Sequence, residues 1–85
     1  MKVTVVIPCH NEEHTIGEVI KRTLEFPLEC DREVVVVDDG STDHSSKAVK
    51  ASSQVKLIVH KTRRGKGSAV KTAIENSSGD IIVIQ

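Results

Sequence analysis

Three short polar clusters in this 85-residue chain combine residue types that could do chemistry. Pro8-Cys9-His10-Asn11-Glu12 places a thiol, an imidazole, an amide and a carboxylate in one run. Asp38-Asp39-Gly40-Ser41-Thr42-Asp43 carries three carboxylates, and Arg63-Arg64-Gly65-Lys66-Gly67 is a basic, glycine-bearing segment. Neighbouring carboxylates repel each other, so Asp38-Asp39 calls for hydrogen-bond donors or a ligand. Carboxylates so placed accept from a nucleobase N–H or a ribose hydroxyl; solvation in a turn is the alternative. At the basic segment, amides of a helix N-terminus beside Arg63, Arg64 and Lys66 suit a phosphate or diphosphate. A solvated basic loop explains the same residues. Capping alone accounts for Asn11, Ser41 and Thr42.

Other readings of these clusters fail on spacing. Cys9, His10 and His14 begin a metal-site pattern, but no second cluster with zinc-type spacing follows. Aligned on Lys66, a Walker phosphate loop needs Gly where His60 stands and Ser or Thr where Gly67 stands. A dinucleotide fingerprint starting at Gly65 finds Val70 in place of its last Gly.

The elements that must position these clusters alternate. Val3 to Ile7 reads as a strand buried on both faces and ended by Pro8. Asn11 can cap a following helix whose first turn carries Glu12 and Glu13, with Ile16, Val19, Ile20 and Leu24 on one face and Pro27 as its stop. Val34 to Val37 is a second buried strand. A weakly amphipathic helix follows, roughly Asp43 to Ala51, with Ala48 and Val49 as its apolar contacts. Val55 to His60 alternates and reads as an edge strand. A third helix has Ala69, Val70, Ala73 and Ile74 on one face and Gly79 as its C′ residue, and Ile81 to Ile84 is a fourth apolar strand. The pattern βαβαβαβ predicts an α/β fold: an open parallel sheet with right-handed helical crossovers. In such sheets ligands bind beyond the carboxyl ends of the strands, where all three clusters fall.

Composition narrows the function classes. Twelve Lys and Arg balance twelve Asp and Glu, which excludes a broad field for nucleic acid or anionic lipid. With one Phe and no Trp or Tyr, the chain lacks platforms for stacking single-stranded bases, so no nucleic-acid partner is expected. No apolar run approaches the ~20 residues of a membrane-spanning helix. Cys9 and Cys30 make no disulfide framework, and a reduced, cytoplasmic setting is the default.

Four blocks in order carry a resemblance over the whole chain: Val5-Val6-Ile7-Pro8 running into Asn11-Glu12, Val34–Val37 with Asp38 to Asp43, Gly65-Lys66-Gly67, and Ser78-Gly79-Asp80 before an apolar strand. Together they resemble family 2 glycosyltransferases, closest in flavour to dolichol- or polyprenyl-phosphate sugar synthases. The resemblance implies a Rossmann-like GT-A fold with strand order 3-2-1-4, helices on both faces, and a UDP- or GDP-sugar donor. It implies that Pro8, His10, Glu12, Val37 and Asp39 line the nucleoside site; the family often has Tyr where His10 stands. It also implies a divalent cation, Mg²⁺ or Mn²⁺, held by an Asp-x-Asp motif beyond Gln85, and a base and acceptor site further on. No catalytic or metal-ligating residue is expected within the chain itself.

The leading expectation is therefore the N-terminal half of an inverting glycosyltransferase, residues 1–85 binding the donor nucleotide with Lys66 near the phosphates. Polyprenyl phosphate is the acceptor candidate, with a location peripheral to the membrane in that case. A chain ending in a buried-type strand reads as cut. A complete, non-catalytic nucleotide- or phosphate-binding module is the alternative, and a pure interaction domain a third. Because Ile81 to Ile84 carries no device that discourages edge pairing, self-association is expected.

Overall fold

The computed structural model describes residues 1–85. Along the chain lie β1 (Lys2–Cys9), α1 (Ile16–Glu25), β2 (Asp31–Asp39), α2 (Ser45–Lys50), β3 (Lys56–His60), α3 (Lys66–Glu75) and β4 (Ile81–Ile84). The strands form one sheet in the order β3-β2-β1-β4 with all pairs parallel, the expected GT-A order. No helix is long and apolar enough to cross a membrane.

Period-two alternation on β1 and β2 feeds two core layers. Val5, Ile7, Val34 and Val36 pack beneath α1 and α2 with Ile16, Ile20 and Val49. Val6, Val35 and Val37 pack beneath α3 with Ala69 and Ala73. The alanines let α3 approach the sheet closely; its expected apolar face is narrower than the sequence implied, because Ile74 is exposed.

Several boundaries differ from the sequence reading, each for a local reason. Pro8 does not end β1, which runs on to Cys9. The carbonyls of Lys2 and Val6 accept from Asp80 and Gln85 amides, so even-numbered residues of β1 bond toward β4. Pro8 continues that series past the last paired residue of β4, where its missing N–H breaks no ladder bond. The first helix starts at Ile16, with Thr15 at its N-cap position. Asn11 is not a cap, and its φ of 51° places it in a left-handed turn. Arg32 closes α1 from outside, donating to the carbonyls of Thr23 and Phe26.

Gly79 is not a helix C′ residue either. A Cβ there would meet Thr4 Oγ1 at 2.2 Å, so glycine is required by close approach to β1. The Gly79 amide donates to Thr4 Oγ1 at 2.9 Å, and Glu33 takes the Thr4 hydroxyl and the Ser78 amide at 3.0 and 2.8 Å. That latch feeds β4 alongside β1. β4 itself, which reads as an interior strand, is an edge exposed on both faces: Ile81, Ile82, Val83 and Ile84 are 44, 38, 45 and 53 % exposed.

Candidate nucleotide site at the carboxyl end of the sheet

The three polar clusters meet where the sequence pattern put them, beyond the carboxyl ends of β1, β2 and β3. They surround a cavity of about 430 Å³ whose wall includes Pro8, His10, Glu12, Asp39, Arg63 and Lys66. Val37, expected at the nucleoside site, does not line it. This residue is fully buried one strand repeat below Asp39, under Ala69 and Ala73 of α3.

Asp38 and Asp39 relieve their repulsion by pointing to opposite faces of β2, as neighbours in a strand must. Both are almost fully buried. Asp38 turns toward α2, accepting from the Ser41 amide at 3.1 Å and from the Ser46 hydroxyl. Asp39 turns toward α3. Its Oδ1 accepts from His60 Nδ1 and the Arg64 amide, each at 2.9 Å, and its Oδ2 from the Gly65 amide at 2.8 Å. Burial pushes this carboxyl up, but the Arg64 amide, the His60 ring and the Gly65 amide outweigh burial and hold it below the ordinary range. It stands ionised as the anchor of the basic loop.

That anchor decides where the cations sit. With its last two amides before α3 fixed on Asp39, the loop turns at Gly65, whose φ is 100°, and α3 begins at Lys66. Ala69 is bonded back to Gly65, leaving the amides of the first turn without intrahelical partners beside the cavity. Gly40, at φ 68°, lets the same loop pass: a Cβ there would lie 2.4 Å from the Arg63 amide nitrogen. Arg63, Lys66 and a helix N-terminus thus converge on one wall, an arrangement that suits a diphosphate.

The opposite wall is set by a clasp between two loops. Asn11 donates its amide to Ser41 Oγ at 2.9 Å and accepts the Thr42 amide on Oδ1 at 2.8 Å. Glu12 and Glu13 donate their amides to Ser45 Oγ and Asp43 Oδ2 at 2.8 and 3.2 Å. Burial opposes ionisation of Asp43, but the Ser45 hydroxyl and amide and the Glu13 amide hold its carboxyl low. His10 donates Nδ1–H to the Asp39 carbonyl at 2.8 Å, which leaves Nε2 as acceptor toward Asn11 Nδ2 at 3.3 Å. The ring is therefore held at the cavity as a flat surface, and the Glu12 side chain lines the same cavity as an acceptor. Cys9 lies beneath them; burial pushes its thiol up to about 11, against a hydrogen bond to Ser45, so it is an unreactive core residue.

The chain matches the family described as Glycosyl transferase family 2 over residues 4–85. It belongs to that family. The dolichol-phosphate mannosyltransferase of Pyrococcus furiosus is 38 % identical over 99 % of this chain and 25 % of its own length. An undecaprenyl-phosphate 4-deoxy-4-formamido-L-arabinose transferase of Proteus mirabilis is 32 % identical over 96 % of this chain and 27 % of its own length. Among solved structures, the mannosyltransferase PcManGT from Pyrobaculum calidifontis, in complex with GDP-Man and Mn²⁺, superposes with a TM-score of 0.84 at 34 % identity, covering 94 % of this chain and 25 % of that one. Glucosyl-3-phosphoglycerate synthase from Mycobacterium tuberculosis, with Mn²⁺, UDP and glucosyl-3-phosphoglycerate, gives 0.84 at 32 % identity, covering 99 % and 32 %. This chain thus spans about a quarter of the length of the curated relatives it matches.

The family 2 chain described here brings together no group of three or more His, Cys, Asp or Glu side chains that could hold a metal ion. Solved neighbours are in complex with Mn²⁺ or Mg²⁺ and a nucleotide, consistent with the divalent cation expected of the complete enzyme, whose ligands were expected beyond Gln85. Sequence reasoning collected five of its six site residues around one cavity. It missed His60, Ser45, whose hydroxyl accepts the Glu12 amide and donates to Asp43, and Ser46, whose hydroxyl donates to Asp38. The pairing of His60 with Asp39 had one available signal, a histidine at the end of a strand otherwise rich in apolar residues.

Proposed function

We propose that residues 1–85 form the donor-nucleotide half of a GT-A domain and bind the nucleoside diphosphate of a UDP- or GDP-sugar. The observation that carries this reading is the convergence of Arg63, Lys66 and the α3 N-terminus on the same cavity as His10, Glu12 and Asp39. The cationic wall takes the diphosphate; Pro8 and the His10 ring offer a surface to the base, and Glu12 and Asp39 accept from base or ribose. These groups orient the donor for transfer to an acceptor such as polyprenyl phosphate, a contribution of position. A polyprenyl-phosphate acceptor would bring the protein to a membrane surface, and the free Cys9 and Cys30 suit a reducing, cytoplasmic compartment. The exposed β4 edge also supports pairing of two copies through Ile81–Ile84.

Calorimetric titration with UDP, GDP and the corresponding monophosphates tests the reading. A diphosphate should bind more tightly than its monophosphate, and Arg63→Ala with Lys66→Ala should erase that preference, because each removes a charged contact worth about tenfold in affinity. Absence of binding by any of the four nucleotides would defeat the proposal. Binding without a diphosphate preference would favour a simple nucleotide-binding module.

A further inference from the structure

His60 is a buried titratable side chain, behind the cavity-lining Asp39, that nucleotide contact does not use. Its side chain and that of Asp39 are each 4 % exposed. The two residues are direct register partners on β3 and β2, so strand pairing alone brings them face to face. Asp39 is ionised and only accepts, which puts the proton of the ring on Nδ1. The other nitrogen, Nε2, then accepts the hydroxyl of Thr72, on α3, at 2.8 Å. The ring is fixed at both ends, between strand and helix.

We propose that His60 is a positioning residue of the site: it locks the rotation of the Asp39 carboxylate so that both oxygens face the Arg64 and Gly65 amides, and thereby holds Arg63 and Lys66 at the cavity. The two amides approach different oxygens of Asp39, at 2.9 and 2.8 Å, so a turned carboxylate loses one or both. An apolar residue at position 60 would fill the space between β3 and α3 equally well. What imidazole adds is a directed donor on Oδ1, anchored from behind by Thr72. The consequence for ligand affinity rests on the donor-nucleotide reading above; the consequence for the loop does not.

The experiment uses His60→Ala, His60→Asn and His60→Gln, with two readouts. Asn can place its amide donor near the position of Nδ1, whereas Gln reaches toward that of Nε2. Amide hydrogen exchange reports loop anchoring, and calorimetric titration with UDP and GDP reports binding. His60→Ala should speed exchange at Arg64 and Gly65 and weaken nucleotide binding, each about tenfold. His60→Asn should recover most of both, and His60→Gln should recover neither while melting within a few degrees of His60→Asn. Unchanged protection of Arg64 and Gly65 in His60→Ala would overturn the proposal, as would equal rescue by Asn and Gln, which marks a packing role. Should His60→Ala fail to fold, the contrast between Asn and Gln decides alone. If the unaltered protein binds neither nucleotide, the donor reading falls and the exchange rates still judge His60.

Discussion

Glu33 and Asp39 sit at opposite ends of β2 on the same face, and each uses a carboxylate to hold one end of the α3 segment. Asp39 takes the Arg64 and Gly65 amides at its entry, and Glu33 takes the Ser78 amide past its exit. Both carboxyls are held below the ordinary range: Asp39 against its burial, Glu33 chiefly by the Ser78 amide. Their remaining partners differ. Asp39 is 3 % exposed and meets a histidine ring and two backbone amides, none of which can turn away. Glu33 is only half-buried and shares its oxygens with two hydroxyls, of Thr4 and of Ser78, and the exposed Ser78 hydroxyl can be re-aimed. One device thus serves as a rigid clamp where two cations must be fixed at a cavity, and as an adjustable latch where only a strand entry is needed.

The sharpest contrast with side chains altogether comes from the glycine at each end. Gly40→Ala combines left-handed strain with overlap on the Arg63 backbone, and Gly79→Ala drives a Cβ into Thr4. We expect overpacking to make Gly79→Ala cost about 1–3 kcal/mol, and Gly40→Ala about 2–5 kcal/mol, since it adds about 1–2 kcal/mol of backbone strain. Urea denaturation measures both; a Gly40→Ala protein as stable as the parent would show that the site loop can move aside.

Next in size is the carboxylate pair itself. In Asp39→Asn the new amide group must confront a backbone amide or the His60 ring, leaving a buried donor unsatisfied at a cost of about 1–3 kcal/mol. Nucleotide affinity should fall ten- to a hundredfold, by the roughly 1.5–3 kcal/mol of a charged hydrogen bond. Glu33→Gln should cost less than about 1 kcal/mol and leave affinity unchanged, because the Ser78 hydroxyl can reverse and accept. Equal losses in the two variants would erase the distinction between clamp and latch.

Acid titration sharpens the comparison further. Both carboxyls have folded pKa values below their unfolded ones, so the unfolded chain binds more protons as pH falls. Their stabilisation is complete above the ordinary carboxylate range, about pH 4, and is lost as pH drops through the folded values. The stability gap between parent and Asp39→Asn should therefore be widest near neutrality and close below about pH 4. Asp43 shifts in the same direction, so Asp39→Asn should still lose stability on acidification, with a shallower slope. A gap that widens in acid would reverse the assigned protonation of the clamp.

The smallest expected effect lies at the strand that the latch delivers. Sedimentation velocity over a concentration series should reveal a dimer or larger species, and Ile82→Lys should move it toward monomer without altering nucleotide affinity. A monomer at all concentrations would mean that the β4 edge is protected in solution.

Local pattern made much of this legible. The alternation of β-branched runs with helical stripes yields the seven elements, and Pro8, His10, Glu12, Asp39 and Lys66 could be collected because clusters after successive parallel strands must share one end of the sheet. Boundaries were less legible where a tertiary partner replaced a local one. Asn11 looks like a helix cap, but its side chain takes the Thr42 amide from a loop 31 residues away. Gly79 looks like a helix terminator, but it is small for the sake of Thr4.

What the sequence by itself determined is the order of elements, the carboxyl-end placement of the polar clusters and the family to which the chain belongs, because periodicity and motif spacing are local properties. Only the tertiary structure decided which partners those clusters meet. The register of β3 on β2 sets His60 opposite Asp39, and a slip by one residue would send the ring to the other face. The close approach of α3, allowed by Ala69 and Ala73, buries Val37 away from the cavity, while Asp39, also buried, lines it. Register and interlayer distance arise from packing summed over the whole sheet, and no short stretch of sequence contains that sum.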